Sequence, residues 1–153
     1  MKIDIEGLDH LCIEALVGRQ DKPNHLSIES HATNEDATLK NLKLLSNLGY
    51  TKFKIVPQHE VHLQVCPQPA REGKYVDHRF PVGASGLFGA ELPGEWLSLD
   101  ATRERYRRIY RNVRIIGPHN GLLRSLKGNR LAQAVLVRVF PGGSGWFDTH
   151  ATY

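Results

Sequence analysis

The chain has 153 residues, 41% hydrophobic and 24% charged, which gives enough apolar mass for one buried core and excludes a disordered segment as the default reading. Its formal charge of +4 is too modest to nominate a partner. No apolar run approaches the roughly 20 residues that span a bilayer, and Asp4 and Glu6 stand where a signal peptide keeps its apolar core, so a cytoplasmic location with no membrane partner is expected.

Residues 2–5 alternate polar and apolar side chains, which predicts a short strand. From Gly7 the period changes. Leu8, Leu11, Cys12, Ala15 and Leu16 recur at helical spacing and predict one apolar face, with Gly18 placed to end the helix in a left-handed conformation. A polar loop over residues 19–24 carries Pro23, which stops helical continuation. Residues 25–29 alternate again and read as a second strand. A second helix is expected from near Thr33, with Asp36 completing a variant capping box, Leu39, Leu42, Leu45 and Leu48 on one face, and Gly49 as C-cap. Residues 50–56 are rich in aromatic and β-branched side chains and predict a third strand. Strand, helix, strand, helix, strand at this spacing is the βαβαβ pattern of one half of a doubly wound α/β sheet.

Residues 57–97 hold much of the proline and glycine, including Gly83, Gly86 and Gly89, and read as a long insertion with little regular structure. A helix capped by Ser98 is expected from Leu99 to about Val113, with Tyr106, Ile109, Tyr110 and Val113 inward. Residues 122–140 read as partly helical, residues 141–145 as a turn, and residues 146–150 as a last short strand. The whole is expected to be a single domain over residues 1–153: a core at 1–56, a loop-rich insertion at 57–97, and C-terminal helices with the last strand at 98–153. Cys12 and Cys66 form no CxxC pair, and no structural disulfide is expected between them.

Lys2-Ile3-Asp4-Ile5-Glu6-Gly7 is similar to the Lys-x-Asp-x-Glu-Gly signature of FkbM-type S-adenosylmethionine-dependent methyltransferases, where it ends the fourth strand. The order that follows also resembles that family: an amphipathic helix, a strand ending in Ser27-Ile28-Glu29, a helix, then Leu48-Gly49-Tyr50 leading into Phe53-Lys54-Ile55-Val56. The match covers residues 2–56, while Ser85-Gly86-Leu87-Phe88-Gly89 and Trp146-Phe147-Asp148-Thr149-His150-Ala151 resemble features of one branch. The resemblance implies the second half of a Rossmann-like doubly wound methyltransferase sheet, S-adenosylmethionine as cofactor, and O-methylation of a small-molecule or sugar acceptor.

The family's cofactor site lies in its first three strands, with an acidic Gly-rich loop after the first and an acidic residue ending the second. Neither feature occurs here, and Gly83 to Gly89 follows no predicted strand and opens no clear helix. The chain is therefore expected to be the C-terminal part of a longer enzyme, inactive alone. Its first strand, deprived of a neighbour, would expose an edge that invites self-association or a partner chain.

Asp4 and Glu6 end a predicted parallel strand on the side where doubly wound folds place ligands, and the resemblance implies that both face the acceptor pocket, Asp4 also the cofactor. Either carboxylate can orient an acceptor or take its proton, while Glu6 can equally cap the following helix. His31, just past the second strand, is a candidate general base or an idle loop histidine. Glu29, Asp148 and His150 are candidate substrate-binding residues, the last two on one side of a terminal strand that can also be simply solvated. His59, His62 and Cys66 hint at metal spacing but complete no ligand set, so no metal is expected. Arg103, Arg105, Arg107, Arg108, Arg111 and Arg114 form the most basic run; a solvated helical face is preferred over nucleic-acid binding.

Overall fold

A computed structural model of the chain describes residues 1–5, 7–30, 34–116, 135, 138–139 and 146–153. Along the chain come β1 (Lys2–Ile3), α1 (Asp9–Glu14), β2 (His25–Glu29), α2 (Glu35–Asn47), β3 (Lys52–Pro57), α3 (Leu99–Ile116) and β4 (Phe147–Thr152). Between β3 and α3 the insertion holds only short 3-10 turns at Gln58–Leu63 and Gly89–Glu91. The sequence regions expected as a partial helix (122–140) and a turn (141–145) fall almost wholly outside the described residues.

The strands form one mixed sheet in the order β1-β2-β4-β3. β1 pairs parallel with β2, and β4 pairs antiparallel with both β2 and β3. β1, β2 and β3 thus run in one direction and β4 runs against them. The βαβαβ pattern predicts β3 beside β2; β4 occupies that place instead. β4 is buried almost throughout, and only an internal position gives its backbone hydrogen-bond partners on both sides. β1 stands at the end of the order, and among the described residues its outer edge meets no strand. At the other end, Phe53 and Leu97 exchange backbone hydrogen bonds of 2.8 and 2.7 Å, covering part of the β3 edge.

One sheet face is apolar. Ile3, Leu26, Ile28, Phe53, Phe147 and Ala151 pack there against Ile13, Leu42, Leu45, Tyr106 and Ile109 from the three helices. Within this core the Tyr106 hydroxyl bonds Ser30 Oγ and, at 2.7 Å, Thr149 Oγ1, while the Tyr110 hydroxyl lies 2.6 Å from Thr38 Oγ1. Burial pushes both phenols well above their ordinary pKa. The opposite face is polar in its centre and is covered by the insertion, where Val56, Leu87 and Leu92 form a second small core with Phe80 and Trp96 beside it.

Local chemistry explains α2 and α3 well. Asn34, rather than Thr33, caps α2, its side chain accepting from Ala37 N at 3.0 Å. Thr33 itself lies outside the described residues. Leu42, Leu45 and Leu48 are buried, and Gly49 follows at φ 102°, a conformation that closes the helix and that other residues resist. Ser98 Oγ accepts from Ala101 N at 3.3 Å at the start of α3. The α1 face differs from the sequence expectation: Leu8 and Leu11 are half exposed, at 54% and 50%, and Ile13 is buried instead. The six-residue α1 packs Ile13 into the core under β1 and α2, with Cys12 and Leu16 partly buried against it.

A buried polar face at the carboxyl edge of the sheet

Strand register brings charged and polar side chains together on the insertion side of the sheet. Lys2 pairs with Ser27, Ser27 with His150, Lys54 with His150, and Glu29 with Asp148. Paired residues share a face, so these six point the same way. Lys2 Nζ meets Asp148 Oδ2 at 2.9 Å, with Asp148 nearly buried and the lysine side chain 26% exposed. Burial pushes the Asp148 carboxyl up and the Lys2 ammonium pulls it back down. Ser27 Oγ lies 3.5 Å from both Asp148 Oδ2 and His150 Nε2. Those separations are at the limit of hydrogen bonding and Ser27 is fully buried, so this is not an activated serine nucleophile.

His150 is buried, and desolvation, helped by Lys2, Lys54, His25 and the N-terminal ammonium, pushes its pKa down to about 3. It is neutral at physiological pH and holds the sheet centre as an uncharged ring, 5.7 Å from Phe88. Its folded pKa lies below the ordinary 6.5. As pH falls, the unfolded chain therefore takes up this proton first, and stability present above about pH 6.5 is lost below it. Wild type is expected to lose about 2 kcal/mol more than His150→Gln between about pH 7.5 and about pH 5. Paired urea melts at the two pH values measure the difference, and equal losses would refute it. Glu29 and Asp148, whose pKa values are raised, shift the pH profile of both proteins alike and cancel from the comparison.

Three carboxylates gather where the parallel strands end. Asp4 is half exposed beside Lys2, whose Nζ lies 3.7 Å away. Burial, then the charges of Asp4 and Asp148, push the Glu29 carboxyl up, while the Trp146 side chain donates to it and works the other way. Gln58, just past β3, takes Trp146 O on its backbone N at 3.1 Å and keeps its side chain buried with Nε2 unpartnered among the described residues. Lys2, Asp4, Glu29, Gln58, Trp146 and Asp148 thus form the candidate site. Glu6 and His31, expected to belong here, lie outside the described residues.

The insertion closes the rest of this face. Lys54 is buried, donates to Leu92 O at 3.0 Å and Gly94 O at 2.9 Å, and sits 4.5 Å over the Trp96 ring. Burial, then Arg71, push its ammonium pKa down. His25 stands between Phe88 and Trp96, with Nε2 3.4 Å from Glu72. Among the described residues no three His, Cys, Asp or Glu side chains converge as a metal site, and Cys12 and Cys66 are free thiols.

The glycines of this segment do not form a cofactor cradle. A Cβ on Gly86 would stand 2.5 Å from Gln64 Oε1, and one on Gly89 2.6 Å from Glu72 Oε2. Both close approaches are to the protein's own side chains, and Gln64 Oε1 accepts from Leu87 N at 2.7 Å. At Gly86 and Gly89 the space beside the backbone is thus taken by the protein's own side chains, while Gly83 meets nothing within 4 Å.

Sequence reasoning named Asp4, Glu29, Asp148 and His150 but gave no role to Lys2, Ser27, Lys54 or Gln58. The signal for two of them, Ser27 and Lys54, was the alternation of His25, Ser27 and Glu29 and of Lys52 and Lys54, which marks a shared face without saying that the face is buried. Asp148 and His150, which terminal residues of their type leave to solvent in many chains, are 2% and 3% exposed because β4 is internal. No helix among the described residues is long and apolar enough to cross a membrane. No family model matches this chain, and no curated protein or solved structure is significantly similar to it.

Proposed function

We propose that this chain is the acceptor-side half of an FkbM-like methyltransferase, acting on a hydroxyl of a small molecule or sugar when joined to a cofactor-binding half. The observation that carries the reading is the gathering, at one edge of the sheet, of Asp4 within the Lys2-to-Gly7 signature, Glu29 at the end of β2 and Asp148 at the start of the antiparallel β4. Ligands of open α/β sheets bind at that edge. Glu29, with its raised pKa and polar neighbours, is the group suited to accept a hydroxyl proton at a carboxylate oxygen. The cofactor would supply the methyl group, and its site belongs to residues outside this chain.

The test joins residues 1–153 behind the first three strands of an FkbM-type enzyme and follows thermal melting with S-adenosylhomocysteine. The joined protein is expected to gain about 2.7 kcal/mol at a hundredfold excess over Kd, and the chain alone to gain nothing. A joined protein that melts cooperatively without any gain, or a gain by the chain alone, overturns the reading.

The open edge of β1 favours a second reading, a non-catalytic module that completes its sheet with itself or a partner chain. Ile5, Leu8 and Leu11 are exposed beside that edge. Sedimentation that shows concentration-dependent association would support it, and a monomer at all concentrations would remove it.

A further inference from the structure

We propose that the outward face of α3 binds the phosphodiester backbone of nucleic acid without reading sequence. Six of the chain's 12 arginines lie within this one helix, which carries none of the 8 lysines. Its only acids are Asp100 and Glu104, so six positive charges less two negative leave +4, equal to the formal net charge of the whole chain. An arginine-rich element of this net charge supplies the local positive footprint that phosphate binding requires.

The inward positions are fully used: Thr102, Tyr106, Ile109 and Tyr110 are buried in the core. The arginines are therefore held outward by packing on the opposite side. Arg103, Arg107, Arg111 and Arg114 fall at i, i+4, i+8 and i+11 and line up as one stripe. The stripe is about 17 Å long at the helical rise, and one strand of a duplex presents about five phosphates over that length. Arg107 and Arg114 side chains are 60% and 68% exposed.

The ion pairs along the helix do not compete strongly. Arg103, half-buried, reaches Asp100 at 3.6 Å, and Arg107 and Arg108 reach Glu104 at 3.9 and 4.0 Å, near the limit of pairing; Arg114 is held closer, by Glu35 of α2 at 3.2 Å, which leaves Arg107 and Arg111 as the centre of the stripe. Guanidinium, with its planar fork, is the group suited to phosphate oxygens. An acidic membrane is the lesser fit, because interfacial helices insert an apolar face and the apolar face of α3 is committed to the core.

The probe is a fluorescein-labelled duplex of about 20 base pairs and arbitrary sequence, followed by anisotropy with the full chain across about 50 to 300 mM salt. Log Kd is expected to rise with log salt at a slope of about 3, from three to four phosphate contacts. The double variant Arg107→Gln with Arg111→Gln removes two exposed side chains, and is expected to lower the slope by about 2 and weaken binding at least about tenfold. Lys40→Gln with Lys43→Gln removes the same charge from α2 and is expected to change Kd less than about threefold. A wild-type slope below about 1, equal weakening by the two double variants, or equal affinity for phosphatidylserine vesicles overturns the proposal.

Discussion

Lys2→Met is expected to destabilise the fold by about 3 kcal/mol, and Asp148→Asn by about 1 kcal/mol. The two residues form one ion pair at 2.9 Å, so the asymmetry comes from what each deletion leaves behind. Without Lys2, Asp148 keeps a nearly buried carboxylate whose other neighbours are a distant Ser27 hydroxyl and the like charge of Asp4. Without the Asp148 charge, Lys2 is partly exposed and still has Asp4 within 3.7 Å. The pH dependence separates the two further. Asp148 binds its proton more tightly folded than unfolded, so its contribution is present below the unfolded value of 3.8 and is lost as pH rises through the folded one. Removing Lys2 raises the folded value more, so the gap between Lys2→Met and wild type is widest near neutrality and narrows on acidification toward about pH 4. Guanidinium melts of the three proteins at the two pH values check it. Equal costs for both substitutions, or a gap that widens in acid, would show that the pair is not buried as described.

Tyr106→Ala is expected to cost about 4 kcal/mol, a large share of the roughly 5–15 kcal/mol that holds a domain together. Tyr106 is fully buried between the sheet and α3, beside Tyr110 at 6.1 Å between ring centroids. Its removal empties a ring-sized volume and also strips a partner from Ser30 and Thr149. Tyr106→Phe keeps the volume, and Ser30 Oγ and Thr149 Oγ1 remain within 3.0 Å of each other, so that change is expected to cost only about 1 kcal/mol. Denaturant melts with unchanged slopes would put the difference on packing. A phenylalanine variant as unstable as the alanine one would instead put it on the hydroxyl network.

Tyr106 and Lys2 lie on opposite faces of one sheet. The Tyr106 layer is an ordinary apolar core with its polar atoms satisfied. The Lys2 layer is charged, covered by irregular chain, and adjoins the carboxyl edge where the candidate site lies. Loss of the first should unfold the chain cooperatively. Loss of the second should act mainly through the electrostatics of Asp148, Glu29 and His150, whose raised, raised and lowered pKa values share desolvation as first cause.

Local sequence determined the elements themselves. The alternation at His25 to Glu29, the leucine spacing of α2 with Gly49 after it, and the inward Tyr106, Ile109 and Tyr110 of α3 depend on period and capping, which neighbours along the chain decide. Tertiary structure decided two things that period does not encode. It turned Ile13 rather than Leu8 and Leu11 inward on α1, because a six-residue helix follows whatever surface it meets. Above all it placed β4 between β2 and β3. Strand pairing joins residues more than a hundred positions apart, as Ser27 and His150 show. That single pairing turned Asp148 and His150 from terminal polar residues into buried ones, because the burial of a strand is set by what lies on either side of it.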